Sequence, residues 1–283
     1  MEQGPQTRLL ENGNNPSVLL IGGIDSAGMA GLSTDQRFVE ALGAHACLAA
    51  TALTRQTAER LIDTQAVPVL ELQRTLDTAF SHLPIRSVKV GMVASAAQAE
   101  AIGRIAEQTA GIPWVLDPVR GASVGGTLLD DHARRALLEG LIPRSDLLTP
   151  NFPEAAWLSG GDAAEVSGVS RLIPALHALG ARHVLLKGGH AEGEDKLTDW
   201  LSATGGALRA FEHPRQPGRF RGTGCALASA VAALLAYDCR IETACASAIA
   251  LVQDSMRRAI EPVAGAPRCL RPSAEALHVA RKL

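Results

Sequence analysis

Aromatic residues are scarce: five Phe, three Trp and one Tyr make up 3% of the 283 residues. That excludes the stacking platforms on which single-stranded nucleic acid is bound. An excess of either charge is also missing, with 27 basic against 29 acidic residues and a net charge of −2. No electrostatic footprint for nucleic acid or an anionic membrane follows from that balance. No apolar run approaches the roughly 18 residues a membrane span needs. The longest, Cys225 to Tyr237, is interrupted by Ser229. Residues 1–16 lack a basic stretch followed by an apolar one, so no signal peptide is expected and a cytoplasmic location is. The five cysteines, Cys47, Cys225, Cys239, Cys245 and Cys269, are odd in number and none forms a CxxC pair. Neither a disulfide framework nor a zinc site is expected.

What is present is apolar sequence in abundance, 47% of the chain against 20% charged residues. A folded core is therefore expected. Residues 1–15 read as a flexible polar tail and 16–283 as one domain. Short apolar runs end in polar or glycine-rich clusters and are followed by helical spacing. Val18 to Ile21, Val88 to Met92, Trp114 to Leu116, Asp146 to Thr149 and Val184 to Leu186 read as buried parallel strands. Ala46 to Leu53 is a second apolar run of the same kind. Helices are expected over about 30–42, 69–83, 95–108, 130–141 and 153–159, with another running to Leu179. Leu197 to Leu201 and Ala207 to Phe211 read as a hairpin about Thr204-Gly205-Gly206. Three closing helices are expected at 223–237, 241–259 and 273–282. Strand–helix alternation predicts an α/β fold, a three-layer α/β/α sandwich around a mostly parallel sheet.

In such sheets ligands bind beyond the carboxyl ends of the strands. The residues there are Gly23 to Gly28, Thr54-Arg55-Gln56, Asp117-Pro118-Val119, Thr149 to Glu154 and Lys187 to His190. Arg221-Gly222-Thr223-Gly224-Cys225 opens an Ala/Leu-rich helix. It reads either as an anion cradle of backbone N–H groups or as a glycine-rich turn with Thr223 as helix cap. It is not a Walker A loop, and Gly22 to Gly28 lacks the dinucleotide-binding pattern. Cys225 in the first turn is either a thiolate favoured by the helix dipole or a small buried hydrophobe. Asp117 and Glu154 are hard oxygen ligands for Mg²⁺, or a turn residue and a helix-start acid. Lys187 is a phosphate contact or an edge lysine.

The stretch Gly23-Ile24-Asp25-Ser26-Ala27-Gly28-Met29-Ala30-Gly31-Leu32-Ser33-Thr34-Asp35 resembles the pattern G-x-D-x-S/A-G-G-A-G-I-Q-A-D. That pattern belongs to the hydroxymethylpyrimidine/phosphomethylpyrimidine kinases of thiamine biosynthesis, in the ribokinase-like superfamily. The resemblance runs through Val88 to Met92, Val115 to Val119, Leu148 to Ala155, Leu186 to His190 and Gly222 to Cys225, over about residues 17–260. It implies transfer of the ATP γ-phosphoryl group to 4-amino-5-hydroxymethyl-2-methylpyrimidine and then to its monophosphate. It implies that Gly222, Thr223 and Gly224 form the anion hole with Cys225 as base. Gly23, Asp25, Ala30, Gln56 and Val119 would meet the pyrimidine. Asp117, Asn151 and Glu154 would serve the Mg²⁺–phosphate side, with Lys187 on the nucleotide, and the chain would pair as a homodimer. The departures are Arg120 to Gly126 in place of a stretch with Lys-Ser-Gly-Asp, Met29 for a glycine, Ser33-Thr34 for Gln-Ala and Gln56-Thr57-Ala58 for Q-N-T. A pyridoxal-type vitamin kinase, and a weakly catalytic pyrimidine-binding paralogue, are the rival readings.

Overall fold

The structure is a computed structural model and describes residues 15–109, 111–121, 131–160, 168–188 and 195–273. The expected helix at 273–282 lies outside these, apart from its first residue, as does the tail up to residue 14.

The strands are β1 (Ser17–Asp25), β2 (His45–Gln56), β3 (Leu61–Ala66), β4 (Ile85–Val90), β5 (Trp114–Leu116), β6 (Leu147–Leu148), β7 (His183–Leu186), β8 (Lys196–Ala203) and β9 (Arg209–Pro214). They form one sheet in the order β3-β2-β1-β4-β5-β6-β7-β8-β9. The six from β2 to β7 in that order pair in parallel; β3, β8 and β9 run antiparallel at the two edges. β8 and β9 are the expected hairpin, and β3 is a strand the apolar pattern did not announce.

Eight helices among the described residues cover the sheet: α1 (Gly31–Ala41), α2 (Val69–His82), α3 (Ala96–Gln108), α4 (Asp131–Ala136), α5 (Phe152–Leu158), α6 (Val169–Ala178), α7 (Thr223–Ala236) and α8 (Ile241–Arg257). Ser95 caps α3 as expected, its side chain accepting from the Gln98 N–H. The helix expected over 130–141 is α for one stretch only and continues as a π turn, Leu137–Leu141. Alternate strand residues pack to opposite faces. Leu19, Ile21, Val88, Val90, Trp114 and Leu116 join the cluster under α2 to α6. Val18, Leu20, Val115 and Leu185 join the cluster under α1, α7 and α8. α7 is buried from Ala226 to Ala236, as an all-apolar helix must be. The three-layer α/β/α sandwich is thus present. A small parallel pair, β10 (Phe220–Arg221) with β11 (Arg268–Cys269), sets the approach to α7.

Candidate active site

The carboxyl ends of β1, β2, β5 and β7, the start of α5 and the start of α7 surround one cavity of about 750 Å³. Gly23, Asp25, Ala30, Gln56, Asp117, Val119, Asn151, Glu154, Lys187, Gly222, Thr223, Gly224 and Cys225 all line it. Residues more than 190 positions apart in sequence therefore meet, because successive parallel strands deliver their ends to one edge.

The cradle is built by backbone conformation. Gly222 is the N-cap of α7 at φ +77°, and no side chain caps the helix. The alternative with Thr223 as cap is thereby overturned: Thr223 is the first helical residue, and the first-turn N–H groups have no side-chain acceptor. Glycine is required at 222 twice over. Its φ is left-handed, and a Cβ would lie 2.5 Å from the Met29 carbonyl oxygen. At Gly224 a Cβ would sit 3.1 Å from Lys187 Nζ. The cradle and the lysine thus face the same space.

Three cations line the cavity in ion pairs. Lys187 Nζ lies 2.8 Å from Asp117 Oδ1 and 3.8 Å from Glu154 Oε2. Burial alone disfavours this ammonium, yet Asp117 and then Glu154 hold it protonated above the ordinary lysine range. Glu154 is pushed up to about 7 by burial, against the pull of Lys187. It also closes a capping box: Asn151 N–H donates to Glu154 Oε2 and Glu154 N–H to Asn151 Oδ1, both at 2.8 Å. Both residues are thereby fixed at the start of α5.

Arg221 donates to Asp25 Oδ2 at 3.2 Å, to Gln56 Oε1 at 2.6 Å and to the Thr57 carbonyl at 2.9 Å. Asp25 also accepts backbone N–H bonds from Ala27, Met29 and Ala30. Gln56 Nε2 donates to Thr54 Oγ1 at 2.7 Å. Both ends of the Gln56 amide are thus already engaged with protein, which the sequence reading of a free pyrimidine contact did not foresee.

The third pair lies deepest. Lys89 on β4 and Asp35 on α1 are 2.8 Å apart with side chains 1% and 0% exposed, and Ser229 donates to the other Asp35 oxygen at 2.7 Å. Burial opposes the Lys89 charge, but Asp35 holds it protonated above the usual range. Asp35, Lys89 and Arg221 line the cavity but were given no role from sequence. A lysine in a strand covered on both faces was the available signal, since such a charge must be paired.

Cys225 corrects an expectation. The helix dipole was expected to favour its thiolate. Burial instead pushes the thiol up to about 11; Lys89 and the Gly31 N–H pull it down, Asp35 and Asp117 push it further up. Loss of water is the largest cause.

This chain matches the profile of the phosphomethylpyrimidine kinase family over residues 25–268. The chain belongs to that family. It is a kinase, a phosphotransferase, with a ribokinase-like fold. It is 37% identical to the hydroxymethylpyrimidine/phosphomethylpyrimidine kinase of Mycobacterium leprae over 228 residues, covering 78% of this chain and 81% of that one. It is 36% identical over 244 residues to the thiamine biosynthesis bifunctional protein ThiED of Geobacter sulfurreducens; the match covers 86% of this chain and 49%, about half, of that longer protein. Among solved structures it resembles the Staphylococcus aureus pyridoxal kinase in complex with AMP-PCP and pyridoxal, with TM-score 0.82 and 26% identity over 92% of this chain and 94% of that one.

Proposed function

We propose that this family member phosphorylates 4-amino-5-hydroxymethyl-2-methylpyrimidine and then its monophosphate, with ATP as donor, in thiamine diphosphate biosynthesis. The observation that carries this is the single cavity where the Gly222 to Cys225 turn, Lys187 and the Asp25–Gln56 wall meet. Phosphoryl transfer asks a protein mainly to position the reactants and stabilise charge. The first-turn N–H groups of α7 and the Lys187 ammonium supply donors and charge for the transferring group. Gly23, Asp25, Ala30, Gln56 and Val119 form the pyrimidine side. Because the Arg221 contact consumes one lone pair of Gln56, the amide is held in one orientation before substrate arrives.

The donor set also fits Mg²⁺. Asp117 and Glu154 are carboxylates that line the same cavity, both facing Lys187, and Mg²⁺ is commonly held by one or two carboxylates with substrate phosphates and water. These two acids, beside Asn151, would hold it together with substrate phosphate and water. Bound there it would neutralise phosphate charge. Only as a thiolate can Cys225 take the hydroxyl proton, becoming the neutral thiol as the alcohol oxygen attacks; its raised pKa makes that thiolate a minority form near neutral pH. Residues 16–283 act as one cytoplasmic kinase domain. Leu48, Leu53 and Ile62, exposed on β2 and β3, suit contact with a second copy, and sedimentation tests the homodimer.

The pyridoxal-type reading draws on the fold likeness, but the identity of 37% lies with the pyrimidine kinases. Turnover with ATP and each of three alcohols, the pyrimidine, its monophosphate and pyridoxal, is the test. Efficient turnover of pyridoxal alone would overturn the proposal, and no turnover of any would favour a binding paralogue.

A further inference from the structure

Among the described residues, one charge of the cavity has no carboxylate counterpart. Lys187, Lys89 and Arg221 are each paired with a buried carboxylate, Asp117, Asp35 and Asp25. Arg120 lines the same cavity, and no carboxylate among the described residues pairs with it. It follows Asp117-Pro118-Val119 at the end of β5 and is exposed at the cavity edge. Its guanidinium carbon lies 5.7 Å from the centre of the Trp157 ring on α5. Stacking on Trp157 restricts a long side chain that would otherwise lose entropy on binding an anion. Among the described residues nothing accepts from the guanidinium donors, and their fork matches a phosphate.

We propose that Arg120, seated on Trp157, is a phosphate-binding residue of this cavity. The inference rests on the kinase reading, in which phosphate enters from two sources, the polyphosphate of the nucleotide and the ester of the monophosphorylated pyrimidine. Both are dianionic oxygen clusters of one chemistry. The paired cations are held by their own carboxylates, so Arg120 offers an entering phosphate a charge that no existing bond must release.

The test compares wild type with Arg120→Gln and Arg120→Lys. KM is measured separately for ATP, the neutral pyrimidine alcohol and its monophosphate, and inorganic triphosphate binding is followed by calorimetry. Arg120→Gln should raise KM for a phosphate-bearing reactant by about 10–100-fold, the range for a charged hydrogen bond. KM for the neutral alcohol should stay within about twofold, because no contact of that alcohol with Arg120 is invoked; Arg120→Lys should fall between, as a point charge replaces a fork. A rise for ATP and triphosphate assigns the nucleotide phosphate, and a rise for the monophosphate alone assigns the ester. Trp157→Leu should move the same constant in the same direction. Unchanged constants throughout, or an equal rise for the neutral alcohol, would overturn the assignment. Should wild type turn over none of the pyrimidines, the functional reading falls while binding still decides: an Arg120→Gln variant that binds both triphosphate and the monophosphate as tightly as wild type removes Arg120.

Discussion

Removal of the Lys89 charge perturbs the most buried electrostatic unit of the fold. In Lys89→Met the stem stays apolar and fills similar volume, but the Asp35 carboxylate, 0% exposed, keeps only the Ser229 hydroxyl at 2.7 Å. Breaking a buried pair by removing one partner costs about 3–5 kcal/mol, because an uncompensated charge is left inside. At about 2–4 °C per kcal/mol for chains of 150–250 residues, Tm should fall by about 6–20 °C. Ser229→Ala removes one hydrogen bond to a charged acceptor and should cost less, about 1.5–3 kcal/mol. The double variant Lys89→Met with Asp35→Leu removes both charges and should regain much of the loss, since apolar replacement of a buried pair is often near neutral. The chemical readout is separate: Lys89 pulls the Cys225 thiol down, so its loss should slow thiol alkylation further at a given pH. Urea unfolding with Lys89→Met within about 1 kcal/mol of wild type would refute the reasoning. So would a double variant no more stable than the single, which would mean that packing rather than charge is at stake.

Gly222→Ala should lower stability as well as activity, because its left-handed φ of +77° and the Met29 carbonyl leave no room, whereas Gly224→Ala should unfold like wild type and lose turnover; thermal melts and kcat separate the two. Cys225 should alkylate slowly at neutral pH with a half-maximal rate near about 11, and Cys225→Ala should lower kcat by roughly 10²–10⁴-fold, the range for losing a general base, with Cys225→Asp retaining more; a kcat within threefold would reduce the thiol to packing. Glu154 binds its proton more tightly folded than unfolded, so its contribution to stability is greatest below its ordinary value of 4.5 and is lost as pH rises to about 7. Glu154→Gln, which can keep the cap, should remove a slope of at most about 3 kcal/mol over that window in unfolding by urea, and parallel pH profiles would reject the shift.

The strands that a sequence makes visible are those whose burial is dictated by neighbours on both faces. Val18 to Ile21 and Trp114 to Leu116 are continuous apolar runs because helices cover them twice. β3 was invisible for the opposite reason. Leu61–Ala66 is exposed at most positions and holds Asp63, Thr64 and Gln65, so its strand character comes from the antiparallel ladder to β2 alone. The helix over 130–141 was readable as helical spacing, but not its relaxation to a π turn at Leu137–Leu141, which no side-chain pattern encodes.

At the site, the pattern of strand ends told which residues gather but not which charge faces which. Arg221 and Asp25 are 196 positions apart and Lys89 and Asp35 54, and spacing says nothing about pairs closed only by the sheet. The pairs matter for how the cavity works. Asp25–Arg221 ties the end of β1 to the end of β10, just before α7, and Asp117–Lys187 ties the ends of β5 and β7. Each cation is therefore spent on holding a wall in place before any phosphate enters. An entering phosphoryl group must either share Lys187 with Asp117 or draw on donors that are not yet committed. Among the described residues the uncommitted donors are the first-turn N–H groups of α7 and the guanidinium of Arg120, which is why a carboxylate-rich cavity of this kind can still receive an anion.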